Sequence, residues 1–82
     1  MPTMAAAVYF EKLAEDEHRV TYGYGFGFER EDITDELVVD KATERLMEPP
    51  ARPSMMLTMA WSGIFKDYRR LDRWPDRGGK VT

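Results

Sequence analysis

Side chains able to carry covalent or acid–base chemistry are scarce in this chain of 82 residues. His18 is the only histidine, it lies among acids in a polar run, and there is no cysteine to act as nucleophile or soft metal ligand. Ser54 and Ser62 have no base close in sequence, and no phosphate-cradling loop or metalloprotease motif occurs. The acids Glu29, Glu31, Asp32, Asp35 and Glu36 are the densest oxygen cluster, but they lack the ligand spacing and central glycine of a calcium loop. They read as a solvated loop. The expectation is a non-enzymatic protein with no catalytic residue, no metal site and no cofactor.

The remaining chemistry is that of surfaces, and it concentrates in Tyr22-Gly23-Tyr24-Gly25-Phe26-Gly27-Phe28. Strict alternation sets Val20, Tyr22, Tyr24, Phe26 and Phe28 on one face of a strand and Thr21, Gly23, Gly25 and Gly27 on the other. If the aromatics are core, the glycine face is thin, and an aromatic or a partner backbone can lie directly on it because no Cβ atoms intervene. Gly23, Gly25 and Gly27 are therefore the expected interface, with Tyr9, Phe65 or Trp74 of a second copy resting on them. The alternative is single-stranded nucleic-acid binding. Gly23-Tyr24-Gly25-Phe26 resembles the sheet motif of RNA-recognition and cold-shock domains, a likeness that implies stacking of Tyr24 and Phe26 on unpaired bases. It departs from that motif at Tyr22, Gly27 and Glu29, which replace a basic, an aliphatic and an aromatic residue. Phosphate attraction would have to come from Arg69, Arg70 and Arg73 folding back beside the aromatics.

These residues need elements to position them. Ala6 to Leu13 reads as a first strand, a polar turn through His18 leads to Arg19–Phe28, and Ile33 to Val39 supplies a third strand. Thr43 to Met47 is a short fourth strand if Asp40-Lys41-Ala42-Thr43 turns the chain. Residues 6–47 are thus expected to form the sheet, and the proline-rich linker 48–53 ends it. Ser54 caps a helix over 54–74, with Leu57, Trp61, Ile64, Tyr68 and Leu71 on one stripe and Met55, Met56 and Met59 expected to fill core gaps. Gly63 weakens that helix, which implies either a close contact there or simple tolerance. Residues 75–82 read as a loose tail.

Leu37-Val38-Val39-Asp40-Lys41-Ala42-Thr43 and Arg73-Trp74-Pro75-Asp76-Arg77-Gly78 resemble phrases in short uncharacterised actinobacterial proteins. Eight arginines against four lysines suit a GC-rich genome. The resemblance implies no activity and no residue role.

Length allows one small domain, 1–82, with modest burial. Net charge is −3, split between a balance of −7 up to Glu48 and +3 from Lys66 onward. The absence of cysteine favours a reducing, cytoplasmic setting, the apolar N-terminus is too short for a signal peptide, and no window has the roughly 18 apolar residues of a membrane span. The expected fold is α+β: a three- to four-stranded antiparallel β-meander followed by one C-terminal helix packed on the sheet. One helix covers one face, so the chain is expected to be a small protein-binding or regulatory module acting as a homodimer, with no membrane partner.

Overall fold

The sheet is laid down by alternation, and it has five strands rather than three or four. In the computed structural model, which describes residues 7–81, they are β1 (Ala7–Glu15), β2 (Arg19–Phe26), β3 (Asp35–Asp40), β4 (Arg45–Leu46) and β5 (Arg77–Val81). The order β4-β3-β2-β1-β5 is antiparallel throughout. The apolar N-terminus up to Ala6, the expected opening of the first strand, lies outside the described residues, as does Thr82.

One face of the sheet carries the core. Val8 and Phe10, Val20, Tyr22 and Tyr24, and Leu37 and Val39 alternate inward from three strands and are buried beneath Leu57, Met59, Ala60 and Ile64 of α1 (Met55–Leu71). The expected stripe is displaced by a fraction of a turn. Leu57 and Ile64 reach the core, Trp61 and Tyr68 pack at its margin, and Leu71 is exposed. Met59 is buried, Met56 half-buried and Met55 exposed.

Both helix ends have local causes. The Ser54 hydroxyl accepts the Leu57 N–H at 3.0 Å. Asp72 takes a left-handed conformation, φ 58°, and its N–H donates to Tyr68 O, so the helix stops at Leu71 and not at Trp74. Among the described residues no helix is long and apolar enough to cross a membrane.

The segment expected to be a loose tail is the edge strand β5. Its approach is anchored by Trp74, which is buried, stacks on Tyr68 with centroids 3.9 Å apart, and faces Trp61 at 6.4 Å. Next to it, the buried Tyr22 hydroxyl donates to Pro75 O at 2.6 Å, and burial pushes that phenol well above its ordinary pKa. Lys12 N–H then donates to Asp76 O at 2.7 Å and starts the β1–β5 ladder. Gly78 falls opposite Phe10, whose ring would lie 2.7 Å from any Cβ at that position. Gly63 makes the same allowance from the helix side, with the Phe10 ring 3.1 Å from where its Cβ would be. The ring is thus seated between two glycines.

Candidate interface

The glycine strip of β2 is not a bare face. Past Phe26 the chain turns at Gly27, φ 140°, and the polar connection folds back over the strand through a 3-10 turn at Arg30–Asp32. A Cβ at Gly25 would overlap the Asp32 carbonyl, one at Gly27 would overlap the Asp32 carboxylate, and one at Gly23 would come 2.8 Å from Ile33 Cγ2. The cover is bonded in place: Asp32 Oδ2 accepts from Phe28 N–H and Glu29 N–H at 2.9 and 3.2 Å, and Thr34 N–H donates to Tyr24 O. Gly23, Gly25 and Gly27 therefore hold the chain's own loop where a partner aromatic was expected. Ile33, read as the start of the third strand, is part of this cover, and β3 begins at Asp35.

The other expected contacts divide. Trp74 is core and cannot rest on a second copy. Phe65 stays half-exposed, with the Arg69 guanidinium 5.7 Å from its ring centroid. Tyr9 lies on the open face, and its hydroxyl donates to Glu11 at 2.7 Å, a bond to a carboxylate that raises its pKa.

The nucleic-acid constellation is not assembled. Tyr24 is 7% exposed and lines a groove with Leu57 at the start of α1, leaving no ring face for a base. Phe26 is half-exposed at the end of β2. Arg69 and Arg70 belong to the last turn of α1 and Arg73 follows it; Arg70 meets Asp67 at 3.4 Å and Arg73 meets Asp76 at 4.0 Å.

His18 sits exposed in the β1–β2 turn, its N–H donating to Asp16. Among the described residues no three His, Asp or Glu side chains are grouped so as to hold a metal. A groove of about 890 Å³ runs between β1 and the 29–31 segment. Its charges meet one another: Arg30 reaches Glu11 at 3.4 Å and Lys12 reaches Asp76 at 3.3 Å.

No protein-family model, curated protein or solved structure matches this chain. Any functional reading therefore rests on the geometry.

What the sequence reading missed is the β5 edge. Ala7, Tyr9, Phe28, Gly79 and Val81 line a shallow groove of about 420 Å³ beside it, and Phe28 and Val81 are 79% and 60% exposed. The backbone phase of the edge follows from two bonds. Ala7 O accepts from Gly27 N–H on the β2 side, whereas Lys12 N–H donates to Asp76 O on the β5 side. By antiparallel alternation, Val8 and Phe10 address β5 and use the backbone groups of Lys80 and Gly78 opposite them. The N–H and C=O groups of Arg77, Gly79 and Val81 consequently point outward. The opposite edge, β4, is only two residues long. Sequence offered one signal for β5, an alternation of Arg77, Gly79 and Val81 with Gly78 and Lys80, which two glycines obscured.

Proposed function

We propose that this chain is a small non-enzymatic protein-binding module that self-associates through the β5 edge and the open face beside it. The observation that carries the reading is the five-residue strand Arg77–Val81, which ends the sheet with backbone groups that have no partner among the described residues, next to the exposed Phe28 and Val81. Such an edge is a template for another strand unless a bulge, a proline, a covering loop or charged side chains blunt it. Among the described residues no bulge, proline or loop guards β5, which carries only the charges of Arg77 and Lys80, while the chain covers its glycine strip on β2 with a loop. An added strand satisfies the outward amides, and the groove lined by Tyr9, Phe28 and Val81 gives apolar area to bury. The aromatic and arginine side chains around it are of the types enriched where proteins meet.

Light-scattering mass measured across a concentration series tests this reading. A mass that climbs from one chain to two as concentration rises is the expected result. A single-chain mass persisting to high micromolar concentration contradicts it.

A further inference from the structure

Charged residues on an edge strand ordinarily discourage pairing, and β5 carries Arg77 and Lys80. Pairing with another strand therefore needs a register that gives these cations suitable neighbours. Only residues whose backbone groups point outward form the hydrogen-bonded pairs of a new antiparallel ladder, and on β5 these are Arg77, Gly79 and Val81. A two-fold axis at Gly79 is the one self-pairing that uses all of them: Gly79 opposes Gly79, and Arg77 opposes Val81 in both directions. No like charges then face each other directly.

The same register fixes the intervening pairs. Each Lys80 falls opposite Gly78 of the other copy, in the non-hydrogen-bonded position where Cα atoms approach to about 4.5 Å. Gly78 and Lys80 both look to the helix face, where Asp67 Oδ2 lies 3.0 Å from the place a Gly78 Cβ would occupy. Asp67 is largely shielded from water and has a 3.4 Å contact with Arg70 through its other oxygen. A lysine arriving opposite Gly78 meets that carboxylate.

We infer that β5 pairs with β5 of a second copy about a two-fold axis at Gly79, closed by reciprocal Asp67–Lys80 ion pairs. The inference rests on the self-association proposed above and adds the interface, its register and its charge pattern. Lys80 then both discriminates and attracts: it opposes strands that bring no carboxylate and accepts the chain's own.

Charge exchange tests the pairing, and a cysteine scan tests the register independently. Asp67→Lys and Lys80→Asp should each raise the dimer Kd at least about tenfold, and combining them should restore it to within about threefold. The natural chain has no cysteine, so Gly79→Cys introduces a single thiol that meets its own copy across the axis at about 5.5 Å between Cα atoms, within disulfide range. It should cross-link on oxidation. Val81→Cys, whose copies would lie about 14 Å apart, should not. A wild-type chain that remains monomeric overturns self-association and this interface together. A dimer that ignores both charge reversals, a double variant as weak as the singles, or cross-linking at Val81 but not Gly79 overturns this interface alone.

Discussion

Glycines accumulate in two strands of the sheet, β2 and β5, and the chain treats the two places differently. On β2, Gly23 and Gly25 are buried because residues 29–34 fold back onto them, with the Asp32 backbone where a side chain would stand. On β5, Gly78 faces inward and admits the Phe10 ring, while Gly79 lies on the open face and has only the Val8 carbonyl, 3.1 Å away, near its missing Cβ. A glycine in a strand thus signals that something approaches closely. What approaches depends on reach. The connection after β2 returns within a few residues and fills its strip, whereas none of the described segments lies along the outer edge of β5.

The sharpest way to break this comparison is to add side chains at both places. Gly25→Val drives methyl groups into the Asp32 backbone and should destabilise the fold by about 4 kcal/mol, at the upper end of overpacking costs. Gly79→Ala, on the open face, meets only the Val8 carbonyl at 3.1 Å and should cost far less, about 1 kcal/mol or under. Urea unfolding followed by tryptophan fluorescence measures both. Equal effects at the two sites would mean that the strip on β2 is not closed.

That outcome also bears on how much of the molecule was legible beforehand. The alternation over Arg19–Phe28 identifies β2 and the inward face of Val20, Tyr22 and Tyr24, although the strand ends at Phe26, because period two is a local property, and Ser54 marks the helix start because capping is local too. The cover was not legible. It depends on the Gly27 backbone turning and on Asp32 accepting from Phe28 and Glu29, which moves Phe28 off the strand and leaves it exposed although it continued the pattern. β5 was missed for a non-local reason as well. Its two glycines give little strand propensity, and it is ordered by Trp74 stacking on the helix and by the Tyr22 bond to Pro75, contacts across the whole chain. The missing Cβ atoms of Gly23, Gly25 and Gly27 are legible in the sequence; that Asp32 and Ile33 of the same chain, and not a second copy, lie against them is not.

A smaller effect sharpens the contrast between the stitched side of the sheet and its open edge. Glu15 binds Lys12 on β1 and Lys41 after β3, at 2.5 and 2.7 Å, and these hydrogen bonds hold its carboxyl below the ordinary glutamate value of 4.5. A depressed folded-state pKa means that the stabilisation is complete above the ordinary value and is lost as pH falls through the lowered one. Acid titration of stability should show a decline below about pH 4.5 that Glu15→Gln reduces. The variant should dimerise as wild type does, because Glu15 lies beyond the Ala7–Glu11 stretch of β1 that pairs with β5. A pH profile unchanged in the variant would remove the stitching role.

Amide hydrogen exchange, resolved by residue and repeated at low and high protein concentration, addresses the open edge most directly. In dilute solution Gly78 and Lys80 should be protected by β1, while Arg77, Gly79 and Val81 exchange rapidly. Raising the concentration should protect Arg77, Gly79 and Val81 together and leave Gly78 and Lys80 as they were. Exchange at Arg77, Gly79 and Val81 that stays rapid at every concentration, or protection confined to other surfaces, would contradict pairing through β5.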